Sequence, residues 1–466
     1  MRLYFIIFLL FSSINIFAQK SINAEILSAL EASCDHSGTA KAIGNAIQSN
    51  SINKIALNSN NQNTDDTWFS VEVNSSGISD QASSGRCWLF TGLNVLRQRA
   101  MKNLGISNFM FSHTYLFFYD QLEKSNLFLQ SIIDTREMPL ESQQVQWLLS
   151  NPISDGGTYT GVADLVIKYG LVPKTIMPET YVSNNTSEFN GHLKRKLREI
   201  AINLREKSES GSSVTELESY KVEQLKTIYN MLCLAYGEPV KKFTWAPKDS
   251  KGKYKSIPKS YTPLEFYNEV CIPKEDLNSD YVMLMNDPSR PYNKVYEIDM
   301  DRHTYDGHNW LYLNLSIDDI APIAIASLKD SVPMYFSCDV GKQLNRSTGL
   351  LDVNNYDYNS LLGTTFGMTK KQRIETHDSG SSHAMTLVAV DLDSEGNPIK
   401  WKVENSWGTN YGYSGHLIMT HEWFCEYMFR VVANKKYCSE AILSLLKQKP
   451  VKLPAWDPMF MYLLDE

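Results

Sequence analysis

The hydrophobic pattern of this chain changes from helical to strand-like near residue 280, and this change limits the folds available to it. Before that point, apolar residues recur at helical spacing, as at Leu89 and Leu93. After it come short apolar runs bounded by turn residues, such as 281–285 and 384–390. A helix-rich half followed by a sheet-rich half predicts an α+β fold.

The size and charge of the chain exclude several classes of protein. It has 466 residues, of which 43% are hydrophobic and 21% are charged, so it is neither disordered nor collagenous nor a coiled coil. The formal net charge is −7, which provides no global basic field for gripping nucleic acid. At roughly 150 residues per domain, the length suggests about three domains or one elaborated domain.

Residues 1–18 have the layout of a secretory signal peptide. Arg2 supplies a positive charge, residues 3–10 are apolar, and Ala18 is a small residue before Gln19. The alternative is a membrane anchor, but the apolar stretch is short and is interrupted by polar residues. We therefore expect an exported protein, periplasmic or secreted, or a cytoplasmic one where the signal is not used. No later apolar run approaches ~20 residues, so no stable membrane span is expected.

One cysteine stands where chemistry is expected. Cys87 lies at the start of an amphipathic helix predicted over residues 88–104, which Gly105 ends. Exposed N–H groups at a helix N-terminus favour the thiolate, the nucleophilic form of cysteine. Gln81 lies upstream in a loop rich in serine and glycine, from which its amide can reach an oxyanion beside the N–H of Cys87. The seven cysteines form no CxxC pair and no zinc-ligand spacing, so most are expected to be buried small hydrophobes.

A nucleophilic thiolate needs a base and a group that orients the base, and two downstream segments offer them. His383 precedes an apolar strand predicted at 384–390, and Asn405 follows the next strand. Asn405 can accept a hydrogen bond from one imidazole nitrogen while the other nitrogen faces Cys87. Trp407 can shield that hydrogen bond from water. Each feature alone also fits a structural role, but all of them in this order favour a cysteine nucleophile with a histidine base.

These segments resemble the papain-like cysteine peptidases, whose motif at the nucleophile is Cys-Gly-[Ser/Ala]-Cys-[Trp/Tyr]. Here the motif is Ser84-Gly85-Arg86-Cys87-Trp88, with Ser84 in place of the first cysteine. His383 lies 296 residues after Cys87. The usual separation is ~130–150 residues, so roughly 150 additional residues interrupt the core. In both departures the chain resembles the bleomycin hydrolase and aminopeptidase C family. Further segments that resemble this family are 115–120, 155–157, 168–174, 338–342 and 454–459.

The resemblance implies a papain-like core, with a helical half and a β-sheet half, that carries inserted helical and hook domains. It also implies a homohexameric ring whose active sites face an inner chamber and whose substrates are peptides. The boundaries expected on this basis are a signal peptide at 1–18, an N-terminal arm at 19–60, the helical half of the core at 61–185, an inserted helical and hook region at 186–330, the β half at 331–448, and a C-terminal arm at 449–466 directed toward the active site.

The resemblance also implies a role for each residue of the site. Cys87 is the nucleophile, His383 the general base and acid, Asn405 the orienting residue and Gln81 the oxyanion donor. The expected activity is thiol-dependent hydrolysis of peptides from their N-termini. A non-catalytic ring that binds peptides or acts like a chaperone is the alternative.

Four residues are predicted to bind substrate: Gly156, Gly157, Trp407 and Glu466. The glycine pair resembles one that lets the substrate backbone approach closely, although a simple turn is the other interpretation. The acidic C-terminal end, with Glu466, can hold the amino group of a substrate and so favour aminopeptidase action. A displaced tail would instead permit endopeptidase action.

No metal and no cofactor are expected. His303 and His308 lie close together in a polar segment, but no third ligand is defined there. The basic residues of 194–198 lie on one face of a predicted amphipathic helix. A solvated helix face is favoured there over a nucleic-acid site, and nucleic acid is therefore an unlikely partner.

Overall fold

A computed structural model describes residues 21–61, 66–74, 77–272 and 275–461. The predicted signal peptide at 1–18 and the predicted substrate-binding residue Glu466 lie outside these described residues. The described part of the chain divides into two compact units.

The first unit comprises residues 21–57 and 357–364. Its helices are Ala24–Ala32, Gly38–Ser49, Ile52–Ala56 and Tyr358–Leu362. Asn23 and Ser37 cap the first two helices with side-chain oxygens that accept backbone N–H bonds. The backbone N–H of Asp357 donates to the carbonyl of Ala56 (2.8 Å), and this bond joins the two segments of the unit.

The second unit contains the predicted chemistry and is helical in its first part. Its helices are Cys87–Leu104, His113–Asp134, Gln143–Ser150, Tyr159–Tyr169, Tyr181–Asn184, Thr186–Glu209, Val214–Tyr236, Pro263–Glu265, Ile317–Lys329, Lys370–Glu375, His421–Tyr427, Glu440–Leu445 and Pro458–Met461, with a π-helical turn at Phe266–Cys271 and a 3₁₀ turn at Lys435–Tyr437.

The helix predicted over 88–104 is confirmed and includes Cys87 as its first residue. It ends at Gly105, whose φ of +61° is the left-handed conformation that closes many helices. Leu89, Leu93 and Leu96 on this helix are each 1% exposed or less, so the apolar spacing seen in the sequence marks the face that packs into the core.

A mixed sheet follows, with twelve strands among the described residues. In spatial order, its main path runs Val451–Leu453, Lys294–Ile298, Leu311–Asn314, Tyr281–Met285, Met428–Asn434, Met334–Cys338, His383–Leu392, Pro398–Glu404, His416–Thr420, Leu350–Leu351 and Leu344–Asn345, and Val71–Glu72 pairs with His383–Leu392. The strands near 281–285 and 384–390 are confirmed. Strands from 281–314, within the predicted inserted region, join the same sheet as those of the predicted β half.

A small hairpin lies apart from this sheet. Phe243–Trp245 pairs antiparallel with Lys259–Tyr261. Phe243, Trp245 and Tyr261 surround the buried ring of Phe266, at centroid distances of 5.2 to 5.8 Å. These aromatic contacts come from a later segment, so the local sequence did not predict the strands.

No helix of the described chain is long and apolar enough to cross a membrane.

Candidate active site

Cys87 occupies the N-terminus of the helix Cys87–Leu104 and is 3% exposed. Arg86 precedes it and makes no side-chain cap, so the N–H groups of the first turn remain near the thiol. Their partial positive charge favours a thiolate at this position. The next residue, Trp88, is fully buried, and its indole N–H donates to the carbonyl of Asp155 (2.7 Å).

The loop before Cys87 folds back on itself, and Gln81 holds it there. Nε2 of Gln81 donates to the carbonyl of Ser84 (2.6 Å), and the hydroxyl of Ser84 donates to the carbonyl of Gln81 (2.6 Å). Oε1 of Gln81 accepts from the hydroxyl of Ser406 (2.6 Å), and its backbone N–H donates to the carbonyl of Ser406 (2.8 Å). The Gln81 amide is therefore fixed between the Cys87 loop and the segment that follows Asn405.

His383 and Asn405 are brought together by an antiparallel strand pair. His383 begins the strand His383–Leu392, the partner strand Pro398–Glu404 returns beside it, and Asn405 follows immediately. Such a return places the start of one strand beside the end of the next. Nε2 of His383 lies 2.8 Å from Oδ1 of Asn405. The ring of Trp407 lies 4.9 Å from the imidazole, tilted by 30°.

The hydrogen bond with Asn405 decides which tautomer of His383 is useful. An amide oxygen only accepts, so Nε2 carries the proton and Nδ1 is left as the basic nitrogen. Burial lowers the pKa of His383 to about 4, although the bond to Asn405 opposes the shift. At neutral pH the imidazole is therefore uncharged and able to take a proton.

A buried ion pair fixes the Cys87 helix against the strand that leads to Asn405. Nη2 of Arg97 lies 2.7 Å from Oε1 of Glu404, and both side chains are 1% exposed. The same helix packs on the strand His383–Leu392. The helix that carries the thiol is thus tied to both strands that carry the histidine and the asparagine.

A cleft of about 460 Å³ lies at this junction, and Gln81, Gly85 and His383 are among its lining residues. Two further lining residues, Asp155 and Lys194, were not predicted as site residues. Asp155 accepts from the backbone N–H of Gly85 (2.8 Å) and from the hydroxyl of Thr186. The sequence could have indicated Asp155 as a site residue, because it directly precedes Gly156, which was predicted to bind substrate. Lys194 belongs to the helix face that was interpreted as solvated, and no local signal distinguished it.

The predicted glycine pair lies beside the cleft rather than in it. Gly156 and Gly157 follow Asp155 and line a second pocket. The ammonium of Lys124 donates to the carbonyl of Gly156 (2.6 Å). A Cβ on Gly157 would come within 2.3 Å of the His303 ring, so only glycine fits at that position.

The two histidines considered as metal ligands have separate partners. Nδ1 of His303 lies 2.5 Å from Oδ1 of Asp120, and Nδ1 of His308 lies 2.8 Å from Oδ1 of Asp164. The described residues contain no group of three or more His, Cys, Asp or Glu side chains able to hold a metal ion.

None of the seven cysteines, all of which lie in the described part of the chain, forms a disulfide. Burial raises the pKa of Cys271 well above its usual value and that of Cys438 to about 11. These thiols are therefore poor nucleophiles near neutral pH. Cys34, by contrast, is exposed, which matters for any experiment with alkylating reagents.

A helix that begins with a cysteine, packed on a sheet whose strands deliver a histidine and an asparagine, is the architecture of papain-like cysteine peptidases. The profile of the Peptidase C1-like family matches residues 21–460. The chain therefore belongs to the Peptidase C1-like family.

Relatives and a solved structure agree with this assignment. Human bleomycin hydrolase is 41% identical over 390 residues, which cover 82% of this chain and 85% of that protein. Aminopeptidase C of Lactobacillus delbrueckii subsp. lactis is 36% identical, over 89% of this chain and 92% of that protein. The crystal structure of pepw from Lactobacillus rhamnosis HN001 superposes with a TM-score of 0.89 at 35% identity, covering 94% of this chain and 99% of that one. The predicted papain-like α+β fold and the predicted family are confirmed, and the chain is a thiol-dependent peptidase of the aminopeptidase type.

Proposed function

We propose that this protein removes residues from peptide N-termini through an acyl-enzyme on Cys87. The observation that carries the proposal is the 2.8 Å bond between His383 and Asn405, at the head of strands packed on the helix that Cys87 begins. His383 is the general base and acid, Asn405 orients it, and Gln81 is the oxyanion donor.

The proposed reaction has two stages. Nδ1 of His383 takes the proton of the Cys87 thiol, and the thiolate forms a bond to the scissile carbonyl carbon. The tetrahedral oxyanion collapses, the C–N bond breaks, and the imidazolium gives its proton to the leaving amine. Water, activated by the same imidazole, then hydrolyses the thioester and frees Cys87.

The remaining predicted site residues have supporting roles in this proposal. Trp407 covers the bond between His383 and Asn405, and the segment with Gly156 and Gly157 guides the substrate backbone. Glu466, at the acidic C-terminal end, holds the substrate's amino group. Aminopeptidase action is supported by relatives named aminopeptidase C and aminopeptidase E. The role of the C-terminal arm is tested by comparing the products that the full chain and a chain ending at Met459 release from a peptide ladder. Stepwise release of single residues by the full chain alone supports it, and identical products from both refute it.

The thiol mechanism is tested by the substitution Cys87→Ala in a Cys34→Ala background. We expect the Cys34→Ala variant to keep its peptidase activity, because Cys34 is an exposed thiol and not a predicted site residue. Alkylation of this variant should abolish its activity, because Cys87 is still present. Adding Cys87→Ala should abolish turnover, since removal of a catalytic nucleophile costs on the order of 10⁶-fold in related triads. Peptidase activity that survives in the double variant would refute the mechanism, and absence of thiol-sensitive turnover in the parent would favour the non-catalytic ring.

The assembly and location are also proposals. A homohexamer is supported by the family, and sedimentation should then give a mass near six times that of one chain; a monomeric mass refutes it. Export is supported by the sequence of residues 1–18. N-terminal sequencing of the mature protein should find this segment removed, and an intact N-terminus in the cytoplasmic fraction refutes export.

A further inference from the structure

One wall of the active-site cleft is formed by the helix Thr186–Glu209. The opposite side of the same cleft includes Gln81, Gly85 and His383. Beyond its first residue, the helix contributes four lining residues: Ser187, Asn190, Gly191 and Lys194. Their spacing of three or four residues places them on one face of the helix. A substrate held at the residues of the reaction therefore lies against this helix face.

Apart from the uncharged His383, two ionisable side chains line this cleft, Asp155 and Lys194. The carboxylate of Asp155 already has partners, because its Oδ2 accepts from the backbone N–H of Gly85 (2.8 Å) and from the hydroxyl of Thr186. Thr186 is the first residue of the helix, so Asp155 also meets the partial positive charge of the helix N-terminus. The negative charge in the cleft is thus balanced within the fold.

Lys194 has no such partner. Its side chain is partly buried, and its ammonium forms no ion pair or hydrogen bond with another residue of the described chain. It lies two helical turns beyond Thr186, about 12 Å along the helix axis. By contrast, Lys196 on the same helix pairs with Glu199 (2.7 Å). The ammonium of Lys194 is therefore available to a ligand in the cleft.

Asn190 lies one helical turn before Lys194 and is also without a partner. Its side chain is 6% exposed, and its enclosed Oδ1 accepts no hydrogen bond from a described residue. Its amide N–H groups donate to no described residue either. A buried amide without partners is costly, and its two N–H donors can serve a ligand. An ammonium and an amide donor one turn apart suit the two oxygens of a carboxylate.

We propose that Lys194 and Asn190 bind a carboxylate carried by one of the two substrate residues that flank the scissile bond. This proposal rests on the proposed function, because Gln81 and His383 in the same cleft place the scissile bond there. The carboxylate is the side chain of an acidic residue at the first or second position, or the terminal carboxylate of a dipeptide. Both residues then determine specificity and take no part in the chemical steps.

The test compares kcat/KM within three matched pairs of substrates. Two pairs are short peptides with glutamate or glutamine, at the first or at the second position, and the third is a dipeptide with a free or an amidated C-terminus. The members of each pair differ in charge and little in size. In at least one pair we expect the acid to be favoured about threefold to tenfold, as for a charged hydrogen bond at a partly exposed site. Ratios near one in all three pairs overturn the proposal without any variant.

The substitution Lys194→Met keeps the length of the side chain and removes its charge. It should lower the acid-to-neutral ratio of that pair about threefold to tenfold, and Lys194→Glu should reverse the preference. The control is Lys196→Met, which removes a cation from the same helix that does not line the cleft; it should keep the ratio of the unmodified enzyme. A ratio that survives Lys194→Met, or that falls equally in Lys196→Met, overturns the proposal.

The chain ending at Met459 provides a second check, because the full chain has carboxylates of its own at the C-terminal end. A preference for the acid that is present only in the shortened chain would show that these carboxylates occupy Lys194, and it would overturn the proposal. The same preference in both chains supports it. Failure of the proposed function would look different, because no peptide would show turnover that depends on Cys87.

Discussion

Two buried histidines in this protein make the same kind of hydrogen bond and do different work. His383 lies 2.8 Å from the amide oxygen of Asn405 and lines the cleft. His303 lies 2.5 Å from the carboxylate of Asp120 and contacts Trp88 edge-on, at a ring distance of 4.6 Å. Burial lowers the pKa of both, so burial alone does not separate a reactive histidine from a structural one.

The two histidines differ in their hydrogen-bond partner and in what surrounds the rest of the imidazole ring. Asn405 is neutral, so it orients His383 without fixing a charge, and the second ring nitrogen is left for chemistry. Asp120 is an anion whose charge is shared with Lys124. The ring of His303 fills the space where Gly157 and Gly161 lack side chains, since a Cβ at either position would come within 2.4 Å of it. His303 is therefore part of the packing behind Trp88, and His383 is part of the cleft.

Asp120→Asn breaks the structural pair and should have the largest effect on stability. Asparagine is nearly the same size but leaves the ammonium of Lys124, which is 11% exposed, without its counter-charge. Removing one partner of a buried ion pair costs about 3–5 kcal/mol, so the free energy of unfolding in urea should fall by about that amount. Glu137→Gln is the control, because its carboxylate is 82% exposed in its pair with Arg136. Equal stability of the two variants would contradict the structural role of the Asp120 network.

The pH dependence of stability tests this comparison through the lowered pKa of His383. Its pKa in the folded chain is about 4, against 6.5 for the free group. As the pH falls below ~6.5, the unfolded chain binds this proton first, so the free energy of unfolding decreases until the pH reaches about 4. Each tenfold difference in proton affinity is worth ~1.4 kcal/mol, which makes the loss ~3 kcal/mol. Urea unfolding at about pH 7 and pH 4.5 measures it, and an equal loss in His383→Gln would exclude His383 as the cause.

Asn405→Asp gives His383 the kind of partner that His303 has. A carboxylate beside the imidazole favours its protonated form and raises its pKa by about 1–3. The acidic limb of the kcat/KM profile should therefore move to higher pH by about one unit or more. Asn405→Ala removes the orienting bond without adding charge and should lower kcat/KM while shifting this limb less. An unmoved acidic limb in Asn405→Asp would show that the limb belongs to another group.

His308→Ala should have the smallest effect. The imidazole of His308 is 65% exposed, and Asp164 keeps a side-chain bond from Asn278 (3.0 Å) after it is removed. A pair with one solvent-exposed partner is screened by water, so we expect a contribution close to that of surface pairs, about 0–1 kcal/mol. We expect urea stability to change by less than about 0.5 kcal/mol and kcat/KM to be unchanged with or without a chelator. A large loss of activity would reopen the metal interpretation of this segment.

The local elements and the family could be predicted from the sequence, because both depend on short-range patterns. Apolar spacing and Gly105 defined the helix that begins at Cys87, and the apolar runs defined the central strands. Cys87, His383 and Asn405 were found because each stands at the end of a predicted element, where functional side chains collect. The hairpin near Phe243 was missed because its stabilising ring, Phe266, comes from a later segment.

The sequence by itself determined which residue types are present and where the helices and strands with a clear apolar pattern lie. Only the tertiary structure decided which side chains meet across long separations. It paired Arg97 with Glu404, placed His303 against two glycines, and put Lys194 in the wall of the cleft. The physical reason is the range in sequence over which each kind of interaction acts. Backbone hydrogen bonding and hydrophobic periodicity act within a few residues, whereas the charge and hydrogen-bond balance of a buried group depends on every segment that packs around it.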